Sequence, residues 1–166
     1  PYLNVAAFNN GWDGIDHHNK GRNLLNRRFL EELQSKTATI PWFVNGGTGR
    51  LPFGLFFWKM TKYGVRGKVE WYYCLGKNER GSVVRLEGDT VFPTMDYERS
   101  REGIDDLKYL CKLEKLIGEA KKGGKAAAQV KKAEEVLKGV FRAIADDWSI
   151  YDRGTAFSVD GFGVVD

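Results

Sequence analysis

The chain has 166 residues, 42% of them hydrophobic and 29% charged, which is enough apolar material for one domain with its own core. The formal charge is +4, two cysteines are too few for a disulfide framework, and no apolar run is long enough to span a bilayer. Those figures exclude a disulfide scaffold and a transmembrane helix and speak against a nucleic-acid binder, while 20 Gly and a 13% aromatic content with five Trp suit loops that stack on flat ligands, although bulky core filling is the commoner use of any single Trp.

The chain opens on Pro1 without Met and without a signal-peptide pattern, and is expected to be processed, engineered or a piece of something longer. Residues 2–8 read as a short buried strand that ends in the turn sequence Asn9-Asn10-Gly11. The loop after it, from Trp12 to Asn19, carries Asp13, Asp16, His17 and His18 with an aromatic at its tip, and is the first candidate ligand-binding loop. Adjacent His side chains point apart and no third spaced ligand is evident, so no metal is expected. Arg22 to Lys36 has the period of an amphipathic helix with Leu25, Phe29, Leu30 and Leu33 inward.

Thr39 to Val44 is the next strand. The loop Asn45-Gly46-Gly47-Thr48-Gly49 follows, and its spacing matches neither a dinucleotide fingerprint nor a P-loop. Arg50 to Lys59 is predicted as one helix with Pro52 in its first turn. A strand from Lys68 to Cys74 then alternates Val69, Trp71 and Tyr73 with Glu70, Tyr72 and Cys74. A carboxylate and a ring at the end of such a strand suit a sugar subsite, the ring against the pyranose face and the carboxylate on hydroxyls. An ion pair between Glu70 and a basic residue of an outer helix suits the same residues equally well.

After a turn-rich excursion and a short segment at Val83 to Leu86, the chain reaches the helix that organises it. Pro93 stops a strand, Thr94 or Asp96 can cap the helix, and Glu98 puts negative charge in its first turn. Ile104, Leu107, Leu110, Cys111, Leu113, Leu116 and Ile117 form the expected buried stripe, which makes Cys111, like Cys74, a predicted buried thiol. Gly103 breaks the pattern, since a mid-helix Gly costs about 1 kcal/mol against Ala, so a close backbone neighbour is expected there. Gly123-Gly124 separates a second helix, from Lys125 to Ala145, and the two make an antiparallel hairpin rich in lysine. Residues 147–166 read as a tail.

The run Glu98-x-x-Arg101-Glu102-Gly103-Ile104-x-Asp106-x-x-Tyr109-Leu110 resembles the signature of a family of uncharacterised bacterial domains, the C-terminal parts of glycoside-hydrolase-like barrels. Their relatives include the β-N-acetylgalactosaminidases of glycoside hydrolase family one hundred and twenty-three. Arg50, Gly54, Trp58, Gly67, Trp71 and Tyr73 resemble shorter family matches in the same order, and the likeness spans roughly Tyr2 to Ile117. Family members carry Arg-Trp before the Glu, where this chain has Asp96-Tyr97.

The resemblance implies an α/β fold: the C-terminal portion of a (β/α)8 TIM-type barrel over residues 1–97, then the helical hairpin over 98–146. It implies a part in a glycoside hydrolase acting on glycans, in which an adjacent Asp-Glu pair does the acid chemistry. No Asp-Glu dipeptide occurs here, so the catalytic acid is expected upstream of Pro1, with Glu70 the candidate if the chain supplies one. Trp12, Asp13, Arg50, Glu70, Trp71 and Tyr72 are the expected substrate contacts. The expected partners are a carbohydrate and either a missing N-terminal half or a second copy, with no cofactor, nucleic acid or membrane. The resemblance alone favours an extracytoplasmic location.

The rival expectations are a non-catalytic carbohydrate-binding or assembly domain and a helical scaffold that binds an acidic partner through its lysines.

Overall fold

The computed structural model describes residues 4–9, 27–44, 49–69, 83–124, 126–144, 158–159 and 162–163. Three short strands, β1 (Val5–Asn9), β2 (Ile40–Val44) and β3 (Gly67–Val69), form a parallel sheet in sequential order. Helix α1 (Arg27–Lys36) connects the first two, and α2 (Arg50–Phe53) with α3 (Leu55–Lys62) connects the second and third. Parallel neighbours need such crossovers because their ends lie at opposite edges.

Alternation on β2 divides the sheet into two faces. Pro41 and Phe43 are buried, whereas Ile40 and Trp42 are exposed. Behind the buried face lies the core of Leu30, Phe43, Phe56, Trp58, Met60, Val65 and Ile144, with Phe43 and Phe56 ring centroids 6.1 Å apart. Each such side chain contributes roughly 1.5–3 kcal/mol by leaving water.

Strands β4 (Val84–Glu87) and β5 (Thr90–Pro93) pair only with each other, across a two-residue turn at Gly88-Asp89 where Gly88 takes φ 58°. That left-handed value suits the tight turns that match strand twist, and Gly adopts it without strain. The hairpin hands the chain to α4 (Met95–Lys122) at Thr94, whose hydroxyl accepts the Tyr97 N–H and so fills the cap position. Helix α5 (Ala127–Ala143) returns antiparallel, and Trp58 meets its Phe141 edge-on at 6.2 Å. The buried Lys59 ammonium, 2.5 Å from the Ile144 carbonyl, holds the C-terminal end of α5, where partial negative charge collects. Two further two-residue strands, β6 (Ser158–Val159) and β7 (Phe162–Gly163), pair antiparallel.

The barrel expectation is overturned. The fold is mixed α/β with small separate sheets, and among the described residues no closed barrel forms. The physical reason lies in the pairing: the chain after β3 spends its next two described strands on each other, so the parallel sheet is not extended by them.

Two finer expectations also change. The helix predicted from Arg50 to Lys59 breaks at Gly54, which leaves helical geometry with ψ −103°. Cys111, Ile104 and Leu116 are exposed, so the buried stripe of α4 is narrower than its apolar spacing suggests. A 28-residue helix runs past the partners that α2 and α3 offer it, and α5 covers only one side of the rest.

Candidate functional site

Parallel register sets three chain exits side by side. Asn9 pairs with Val44 and Val44 with Val69, so β1, β2 and β3 all end at one edge of the sheet. In open α/β sheets the carboxyl ends of strands are where ligand-binding loops gather. Trp12 and Asp13 follow the first exit in sequence, Arg50 the second, and Glu70, Trp71 and Tyr72 the third. Of these six, only Arg50 falls within the described residues; Trp12, Asp13, Glu70, Trp71 and Tyr72 lie outside them, as do Asp16, His17 and His18.

Arg50 is held by α4. Its Nε lies 2.6 Å from Asp106 Oδ2 and its Nη2 3.0 Å from Asp106 Oδ1, a two-pronged pair, while Nη1 stands 3.5 Å from Glu102 Oε2. The hydrogen bond to Asp106 is the main cause that raises the guanidinium pKa above its ordinary value; slight burial opposes it, and the charges of Asp106 and Glu102 reinforce it. The side chain that the sequence offers as a substrate contact is therefore spent, in large part, on fixing α2 to α4.

The backbones of the two helices touch at the same place. A Cβ on Gly103 would stand 2.3 Å from the Arg50 carbonyl oxygen, and one on Gly54 would stand 2.8 Å from the Gly103 oxygen. One turn earlier, the Gly49 N–H donates to the buried Ser100 hydroxyl at 3.0 Å. Glu102, Gly103 and Asp106 of the long motif thus form a seat for the start of α2. Glu98, Arg101, Asp105 and Lys108 of the same helix make a surface chain of ion pairs.

The open face of the sheet carries a residue that sequence reading treats only as part of a strand. Trp42 pairs in register with Gly67, and a Cβ on Gly67 would stand 2.5–2.8 Å from three ring atoms, Cδ2, Cε2 and Cγ. A point that close to three adjacent ring atoms lies over the ring and not at its edge. The indole is therefore laid flat across Gly67, and 36% of the residue stays exposed. Val5, Ile40 and Val69 border it, also exposed. The sequence signal for this platform is a Trp in one strand and a Gly opposite it in the next, visible only once register is known.

Two described surface carboxylates carry shifts that do not suit acid catalysis. Asp105 and Glu134 are shifted below their ordinary values, Asp105 chiefly by its hydrogen bond to Lys108 and Glu134 chiefly by its hydrogen bond to Lys121. A general acid needs the opposite shift. Among the described residues no group of three or more His, Cys, Asp or Glu could hold a metal ion, and no helix is long and apolar enough to cross a membrane. No family model matches the chain, and comparison with curated proteins and with solved structures finds no match in either.

Proposed function

We propose that the chain binds carbohydrate across the open side and carboxyl edge of its parallel sheet, as a substrate-contacting part of a glycoside hydrolase whose general acid lies outside the described residues. The observation that carries this reading is the indole of Trp42, laid over Gly67 and still 36% exposed. A rigid, exposed ring fits the apolar C–H face of a pyranose, and ring pairs of comparable geometry contribute about 0.5–1.5 kcal/mol beyond area. The polar and aromatic residues Trp12, Asp13, Glu70, Trp71 and Tyr72, which follow two of the three strand exits in sequence, supply the hydroxyl-binding groups that a lone platform lacks. The likeness of the α4 motif to a glycoside-hydrolase-like family supports the substrate class, and amino-sugar glycosides are its first members to try.

A second reading is carbohydrate binding without hydrolysis, since the indole of Trp42 supplies a stacking surface and no acid. The two readings part in one experiment. The chain is incubated with p-nitrophenyl β-N-acetylgalactosaminide, and release of nitrophenol is followed beside binding of the intact glycoside by tryptophan fluorescence. Binding with release supports the hydrolase, and binding without release supports the binding module. Neither binding nor release, here and with chitotriose, would remove both.

A further inference from the structure

The two edges of the β4–β5 hairpin are unlike. The Thr94 N–H donates to the Val83 carbonyl at 3.2 Å, which makes these two a hydrogen-bonded pair in the register of the hairpin. Bonded and unbonded pairs alternate along an antiparallel ladder, so Arg85 with Phe92 and Glu87 with Thr90 are bonded, while Val84 with Pro93 and Leu86 with Val91 are not. Unbonded residues turn their backbone groups outward: Val84 and Leu86 on the β4 side, Val91 and Pro93 on the β5 side. Pro93 has no N–H, so the β5 edge is blunted in a way that proteins commonly use to guard an edge. The β4 edge presents both the N–H and the C=O of Leu86, and among the described residues no third strand takes them.

The side chains on that edge complement themselves. Two copies of β4 can meet antiparallel about a two-fold axis that passes Arg85, Leu86 or Glu87. An axis at Arg85 sets guanidinium opposite guanidinium, and an axis at Glu87 sets carboxylate opposite carboxylate; like charges directly opposite are destabilising. An axis at Leu86 joins the two Leu86 residues by reciprocal N–H to C=O bonds and lays each Arg85 opposite Glu87 of the second copy. Arg85 Nη2 already lies 2.8 Å from Glu87 Oε1 of its own strand, so the four charges alternate round a square. On the opposite face Leu86 and Val91 are cross-strand neighbours, 40% and 55% exposed, and the second copy extends them into one apolar band.

We propose that the chain self-associates through this edge, two β4 strands pairing antiparallel about Leu86 to make one four-stranded sheet in the order β5–β4–β4–β5. Strand addition of this kind draws affinity from backbone bonds and register from alternate side chains. A strand of four residues buries less than a standard interface, so the dimer is weak and forms as concentration rises. The contact uses no residue of the proposed carbohydrate site.

Sedimentation velocity on the full chain at rising concentration tests it, and a monomer that gives way to a dimer is expected. Leu86→Pro removes the outward N–H, leaves the bonds to β5 in place and should abolish the dimer. Arg85→Glu alone and Glu87→Arg alone should each weaken it about tenfold, since two favourable cross-strand pairs become two like-charge ones. The double variant Arg85→Glu/Glu87→Arg exchanges the partners and should restore the dimer. An equimolar mixture of the two single variants should likewise dimerise more strongly than either alone, a rescue that misfolded chains could not give. A parent chain that stays monomeric at every concentration would overturn the proposal. A dimer that survives Leu86→Pro would overturn it too, because the contact would then lie on another face. So would single variants that dimerise like the parent, or a double variant as weak as the single ones, since either result removes the register.

Discussion

The carbonyl oxygen of Arg50 occupies the space into which a side chain on Gly103 would project. Helices α2 and α4 meet there backbone to backbone, and the two-pronged pair of Arg50 with Asp106 closes over the contact one turn further along. Substituting Gly103→Ala normally gains up to about 1 kcal/mol in a helix, yet here a backbone atom 2.3 Å away leaves no room. The expected result is a loss of roughly 1–3 kcal/mol in urea unfolding, the usual cost of overpacking. Gly118→Ala, on the same helix with nothing within 4 Å, should stabilise instead. Equal behaviour of the two variants would contradict the contact.

Arg50→Lys keeps the charge but cannot make both bonds to Asp106. A loss of about 0.5–1 kcal/mol is expected, kept small because the Arg50 side chain is more than half exposed and solvent screens it. If Arg50 served only a ligand, stability would not change.

Much of this was legible in sequence, and the rest failed for identifiable reasons. The Thr94 cap, the Glu98–Arg101–Asp105 spacing and the anomaly at Gly103 are local patterns, and local patterns fix helix ends and faces. The partner of Arg50 lies 56 residues away, and no spacing rule reaches that far. Barrel closure is a property of which strands pair, and the sequence of alternating strands and helices is equally compatible with a small open sheet. The turn at Gly88-Asp89 was the missed signal that β4 and β5 belong to each other. Trp42 was legible as a strand residue, but its role depends on Gly67 in the neighbouring strand.

Acid should weaken the surface ion pairs first. The Asp105 and Glu134 carboxyls are depressed in the folded state below their ordinary values of 3.8 and 4.5. Their contribution is therefore fully present above those values and is lost as pH falls through the lower folded values. Melting temperature should decline more steeply in that acid window for the parent chain than for a Lys108→Ala/Lys121→Ala variant, and added salt should shrink the difference. Identical acid profiles would remove the pairs from the account.

The Lys59 ammonium is buried against the end of α5, so Lys59→Met should cost about 1.5–3 kcal/mol, the range for a hydrogen bond to a charged group. Hydrogen exchange should show the loss in the last turn of α5 before the first turn. Uniform exchange along the helix would contradict a capping role.

The central claim is that the exposed indole of Trp42 receives a sugar ring, and titration calorimetry with chitotriose and an N-acetylgalactosamine oligosaccharide tests it most directly. The parent chain and Trp42→Phe, which keeps a ring, should bind one of the two. Trp42→Leu, which keeps the cover over Gly67 without the ring, should bind it roughly threefold to tenfold more weakly, as the loss of about 0.5–1.5 kcal/mol of stacking requires. Unchanged affinity in Trp42→Leu, or no binding of either sugar by the parent chain, would contradict the claim.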